Sequence, residues 1–238
     1  SDTVNFKVNG KYYFGTDVSN GKSSFRVRAS LAKPPAHWNK YTVGDDSAFL
    51  PGEAFVNENE NFNGEETIAF NGFNSMNGIS YSPVTLIADA SVNEPGGRAV
   101  TGHATVISLP SEQFLGLRKN QITTENKVEI AYEILSYEKD KPVTPLSAPV
   151  TFKLYKCDWD YTMKKTGYGQ LRYEWTKTSL PVGEPKTIDL TETKGVIPFD
   201  IRYHGSYELV ATCGDNIQTR LEFYYWWGEG GARTANPS

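Results

Sequence analysis

The sequence predicts an all-β protein built as two tandem antiparallel β-sandwiches. Three observations predict it. A strand, a turn and a closing strand occur together twice, at residues 84–110 and 206–228, and that is how a sandwich finishes. Aromatic residues make up 13% of the chain, a share that suits half-buried pleated surfaces. Long Ala/Leu/Glu-rich amphipathic windows are missing, so helices should be few and short. Dividing 238 residues between two domains leaves each with the size of an ordinary sandwich and room for a core.

The elements follow in order. Val4-Asn-Phe-Lys-Val alternates and reads as a first strand, and Asn9-Gly10 is a tight-turn signal. Residues 11–21 read as a short strand followed by a turn. Between 23 and 31, Phe25, Val27, Ala29 and Leu31 share one face of a strand. Residues 33–78 are punctuated by Pro34-Pro35, Pro51-Gly52 and an Asn/Glu run over 57–66. They predict a decorated polar loop with short strand pieces at 48–50 and 67–70. The sandwich resumes at Val84, and residues 110–113 mark the boundary. Strands are then expected at 114–117, 127–135, 150–157, 186–190 and 196–201, with a hairpin signal at Gly167-Tyr-Gly169. In the final pair Tyr207, Leu209 and Ala211 share a face, as do Leu221, Phe223 and Tyr225. The expected division is 1–111 for the first sandwich, 112–229 for the second and 230–238 for a flexible linker.

Charge narrows the function classes. The chain has 24 basic and 28 acidic residues and a formal net charge of -4, too mild and mixed for nucleic acid or an anionic membrane surface. No apolar run reaches the length of a membrane-spanning helix. The polar start and Gly-rich end read as the edges of a fragment of a longer protein. Cys157 and Cys213 each close a predicted strand. If those strands are antiparallel neighbours, the thiols stand at opposite poles, roughly 25 Å apart for eight residues, against the ~7 Å between Cα atoms that a disulfide tolerates. Two free thiols are the favoured reading; strands facing each other in parallel across the sheets would permit a bridge.

Candidate chemistry is sparse. His37, His103 and His204 are far apart in sequence and lack metal spacing. The 57–66 run offers oxygen ligands without the spacing of a calcium loop and reads as a solvated loop. Ser111-Glu112-Gln113 would resemble a thioester site, but Pro110 stands where the thiol would be. The acid pairs Asp45-Asp46 and Asp158/Asp160 sit in no evident cleft, and no Gly-x-Ser-x-Gly elbow occurs. The expectation is no catalytic site, no metal and no cofactor. One cluster stands out: Trp159, Tyr161, Tyr168, Tyr173 and Trp175 on a single predicted hairpin. Its first reading is core of the second domain plus the seam with a neighbour. Its second is a platform that stacks sugars or grips a protein. In Trp226-Trp227, alternation turns one ring outward, toward an adjoining module.

Several segments resemble the bacterial alpha-2-macroglobulin family. Lys11-Tyr-Tyr-Phe-Gly through Gly21 is similar to the opening of a macroglobulin-like domain. The crossing from Ser108-Leu-Pro into Phe114-Leu-Gly-Leu117 is similar to the family's passage between domains. Residues 143–159, Gly205-Ser-Tyr-Glu-Leu and residues 223–231 are similar to its Pro-Val…Asp-Trp strand, its Gly-x-Tyr closing strand and its Trp-x-x-Gly-Gly terminus. The resemblance implies two consecutive macroglobulin-like sandwiches, related to fibronectin and immunoglobulin folds, lying upstream of a thioester domain. It further implies a non-catalytic scaffold of a protease trap, exported to the periplasm or cell surface and lipid-anchored through a part absent here. The implied partners are neighbouring domains of the same longer chain and, in the full-length protein, an attacking protease; no nucleic acid and no membrane contact are expected. The alternative is a carbohydrate- or protein-binding module of a cell-surface protein. The 33–77 segment departs from the family pattern, and no thioester motif is present.

Overall fold

Alternation of apolar and polar side chains organises the chain into strands throughout. The computed structural model describes residues 3–47, 52–70, 81–120, 126–165 and 171–226. Among them are β1 (Val4–Asn9), β2 (Gly21–Leu31), β3 (Thr42–Val43), β4 (Gly52–Phe62), β5 (Glu65–Phe70), β6 (Val84–Asn93), β7 (Ala99–Ser108) and β8 (Gln113–Lys119). β9 (Lys127–Ser136), β10 (Val150–Lys165), β11 (Leu171–Pro181), β12 (Lys186–Ile188), β13 (Lys194–Asp200), β14 (Gly205–Cys213) and β15 (Ile217–Tyr225) follow. A single 3-10 turn, Ala36–Trp38, is the helical content of the described residues. The expected strand pieces at 48–50, Tyr168 with its hairpin signal, Trp227 and the 230–238 linker lie outside the described residues.

The chain forms two compact units: Ser1–Pro34 with Asp45–Pro110, and Pro35–Gly44 with Ser111–Ser238. In the first unit a two-stranded sheet, β1-β5, packs on a four-stranded sheet, β4-β2-β6-β7. Phe6 meets Phe25 with ring centroids 5.3 Å apart, and Phe55 meets Phe70 at 6.2 Å. β1 therefore overlies β2, and β5 overlies β4. Val27, Phe62, Phe70 and Leu86 are buried between the sheets.

Three expectations for this unit are corrected. Asn9-Gly10 is not a hairpin turn, because β1 pairs with β5; Gly10 is small because a Cβ there would lie 2.6 Å from the Phe62 ring. Residues 11–17 form a tight loop closed by a Lys11–Asp17 bridge rather than a strand. The 57–66 run is mostly paired strand, not a solvated loop. Its second half reverses at Asn63-Gly64, where φ is +78°, and crosses to the other sheet.

In the second unit β13-β9-β8-β3 faces β11-β10-β14-β15, with β12 also paired to β10. Leu115, Ile130, Ile134, Phe152, Leu209 and Tyr225 fill the space between. Residues 35–44 belong here. Trp38 is buried against Phe114 and Leu135, and its indole Nε1 donates to the Ser136 carbonyl at 3.0 Å. Thr42 and Val43 pair with Leu117 and Gly116. The Gly-x-Tyr motif also finds its reason: the Tyr207 hydroxyl donates to the Tyr203 carbonyl at 2.6 Å, a tyrosine corner of the kind found in sandwich folds.

Candidate interaction surface

β10 runs for 16 residues, and its alternation changes phase part-way. Val150, Phe152 and Leu154 point into the core; Cys157, Trp159, Tyr161 and Met163 occupy the opposite parity. No register shift accompanies the change, because β10 pairs continuously with β11 from Tyr155↔Pro181 to Lys165↔Leu171. The first half of β10 also pairs with β14, but only from Thr151 to Cys157. Beyond Cys157, β11 is its one partner among the described residues. The two strands thus leave the sheet as a ribbon.

The ribbon has an apolar face and a polar face. Trp159, Tyr161 and Met163 on β10 stand with Leu171, Tyr173 and Trp175 on β11, and each is more than half exposed. Tyr161 is central: its ring lies 5.7 Å from that of Tyr173 and 5.3 Å from that of Trp175, tilted by 63° and 52°. The other face presents Asp158, Asp160, Thr162, Glu174, Thr176 and Thr178. Exposure overturns the reading of these rings as second-domain core. The four described site residues do come together on one face.

An ionic cluster holds the ribbon's base. Lys177, on the aromatic face, bonds Glu208 of β14 and Glu222 of β15, and Arg220 bonds the other oxygen of Glu208. The Lys177 ammonium also lies 5.8 Å from the Trp159 ring centroid, within cation–π range. Burial works against the charge on Lys177, but its two glutamate partners outweigh it, and its pKa is raised. Glu208 itself is buried. A buried carboxylate with two cationic partners resists loss of either one, which ties the base of the ribbon to β14 and β15.

The remaining candidates do not converge. His37 contacts the Ser136 carbonyl at 2.9 Å, His103 lies on the exposed β7, and His204 packs against Trp226. Among the described residues no group of three or more His, Cys, Asp or Glu is placed to hold a metal. Asp45 is buried and accepts from the Ser47 amide at 3.0 Å, while Asp158 pairs with Lys156. Gln113 of the thioester-like tripeptide accepts from the Thr144 amide at 2.8 Å. β10 and β14 are antiparallel neighbours, with Thr151↔Thr212 at one end and Cys157↔Ser206 at the other. Cys157 and Cys213 accordingly stand at opposite poles as free, buried thiols. Burial raises the Cys213 pKa, partly countered by its bond to the Ala148 carbonyl.

Residues 116–227 match the family model for bacterial macroglobulin domain 6. No curated protein matches the chain. Among solved structures the chain is similar to Salmonella alpha-2-macroglobulin reacted with methylamine, at 19% identity and TM-score 0.61, covering 95% of this chain and 16% of that one. It is similar to Escherichia coli alpha-2-macroglobulin in its native conformation, at 17% identity and TM-score 0.64, covering 98% and 16%. The same protein activated by porcine elastase aligns at 17% identity and TM-score 0.61, covering 96% and 21%. These likenesses show the fold. The chain spans only 16–21% of the length of these three structures.

Proposed function

We propose that this chain, which belongs to the bacterial alpha-2-macroglobulin family through its domain 6, is a non-catalytic scaffold fragment of a protease trap. Its part is mechanical. The second sandwich presents a rigid aromatic ribbon to a neighbouring module of the same longer polypeptide, and displacement of that contact transmits a rearrangement begun elsewhere. One of the similar structures is described as activated by a protease, which motivates the trap reading. The parent protein would act outside the cytoplasm, in the periplasm or at the cell surface, anchored by lipid through another part of the chain.

The observation that carries this reading is the exposed ribbon face on a clamped base. Six large apolar side chains in one strip exceed what a lone surface keeps exposed without use. Interfaces enrich Trp, Tyr and Met at their centres. The tilted rings, with Met163 and Leu171 toward the far end of the same face, suit a packed protein surface better than the coplanar stacking of a sugar ring. The test uses the full-length gene product. Treatment with elastase should change its sedimentation coefficient, and the double variant Trp159→Ser/Trp175→Ser should blunt that change. A parent protein that neither rearranges nor retains elastase would remove the trap reading. Glycan-array binding lost in Trp159→Ala would instead establish the carbohydrate alternative.

A further inference from the structure

Residues 35–44 lie on the outside of the second sandwich. Across β8 and β9, Leu115 is paired with Ile134 and Leu117 with Tyr132, and these four enter the main core. The neighbouring pair, Phe114 with Leu135, therefore points the other way. Trp38 seals it. The indole is buried, with its ring centroid 4.9 Å from that of Phe114 and 5.8 Å from that of Tyr137. Tyr41 follows along β8. A Cβ at Gly116 would come within 3.0 Å of the Tyr41 side chain, the Arg118 guanidinium lies 5.5 Å from its ring, and its hydroxyl donates to Glu133. Thr42 and Val43 then pair along the edge of β8. Gly44 reaches the opposite sheet, where its amide donates to the Thr219 hydroxyl at 3.2 Å and its carbonyl accepts from the Arg220 amide at 3.1 Å.

We propose that residues 35–44 are a releasable strap, bound as a tethered ligand to an indole-accepting site on β8 and β9, and that it lets go as one piece while both sandwiches stay folded. Three features carry this. The site is a cluster of its own: Trp38, Phe114 and Leu135 are separate from the main core, to which the strap contributes no residue. Release therefore uncovers a satellite patch and leaves the main core closed. The backbone attachment is small, two ladder pairs and the two bonds at Gly44. When those bonds part, the Thr219 hydroxyl keeps the Leu115 carbonyl as a partner. The strap is also braced internally, by bonds from the Trp38 amide to the Pro35 carbonyl and from the Tyr41 amide to the Trp38 carbonyl, at 2.9 and 2.8 Å. Stiff Pro34-Pro35 marks its entrance, and Gly44, with φ +81°, marks its exit. Release turns the passages at Pro34 and Gly44 into one slack loop and leaves Pro110 as the short connection between the units. The strap depends neither on the aromatic ribbon nor on the trap reading.

Hydrogen exchange on the 238-residue chain tests the release. The amides of Tyr41, Gly44 and Arg220 should open together, at least tenfold more often than the amides of β14, and with a weaker dependence on urea. A synthetic peptide of residues 35–44 tests the site by isothermal titration. It should bind the Trp38→Ala chain saturably, and bind the unaltered chain at least tenfold more weakly, because the resident strap competes at high effective concentration. The same peptide carrying Trp38→Ser should bind neither. Exchange of the three amides at the rate of β14 and with its urea dependence overturns the proposal, as do three unrelated rates. A folded Trp38→Ala chain that binds no peptide overturns it too. If that variant does not fold, the exchange measurement on the unaltered chain decides alone.

Discussion

The two sandwiches obey one alternation rule and end with different degrees of closure. In the second, a four-stranded sheet faces a five-stranded one, and its core positions, from Leu115 to Tyr225, are sealed on both sides. In the first, two strands face four among the described residues, and Val100, Gly102, Ala104 and Val106 alternate like core residues while remaining open. Burial of a face is thus a property of what lies opposite it. A strand's own sequence states only that the face is ready to be covered.

Loss of Trp38 should sharpen this contrast most. Trp38→Ala removes a buried indole and one of the two ring-nitrogen contacts on the Ser136 carbonyl, leaving that of His37. We expect a cost of about 3–5 kcal/mol, seen by calorimetry as a fall in one of two thermal transitions. If both transitions fell together, the division into separate cores would be broken.

Matched insertions come next. Ala211 is fully buried in the second core, whereas Ala90 borders a hollow of about 620 Å³ between β1 and the β6–β7 pair. Ala211→Leu should cost about 1–3 kcal/mol by overpacking, and Ala90→Leu less than about 0.5 kcal/mol in urea unfolding. Equal costs would mean that the space beside Ala90 is filled.

Alkali should separate the units more gently. Burial raises the pKa values of Tyr41, Tyr132, Tyr207 and Cys213, and the glutamate partners raise that of Lys177. All five lie in the second unit. A proton held more tightly in the folded state gives stability that is full below the unfolded pKa, about 10 for tyrosine and 10.4 for lysine. That stability is lost as pH rises through the folded value. For the Cys213 thiol the unfolded value is about 8.5, so the second transition should begin to fall above about pH 8.5 and fall most above about pH 10. The first unit has a raised group in Lys22, which bonds Glu60 at the surface, and should move less. Near-ultraviolet circular dichroism against pH tests the order.

The smallest effect is expected at the ribbon. Trp175→Ser should change the stability of the isolated chain by less than about 0.5 kcal/mol, because its ring is 62% exposed. A large loss in chemical denaturation would show that the ribbon folds back as core.

Much of this was legible in the residues. Strict alternation located β2, β9 and the β14–β15 pair, and the aromatic cluster at 159–175 was visible as a cluster. Its exposure was written there too, in the change of parity between Leu154 and Cys157. β4 was not legible. Asn and Glu are poor strand formers, yet Asn57 and Asn59 pair with Phe25 and Ser23 across an irregular register. Glu66 accepts from both Ser23 and Asn57, fixing that polar edge. Tertiary pairing overrode local preference. The role of Trp38 was hidden for a related reason: its partners Phe114 and Leu135 lie far along the chain, and no local pattern announces them.

The short excursion at Pro35–Gly44 means that the polypeptide passes between its two units three times, after Pro34, Gly44 and Pro110. A gene truncated to begin at Ser111 would encode a second sandwich lacking its indole plug and one edge strand, with Phe114 and Leu135 laid bare to solvent. Independent production of the halves would require moving the ten-residue excursion by circular rearrangement, or adding it back as a free peptide.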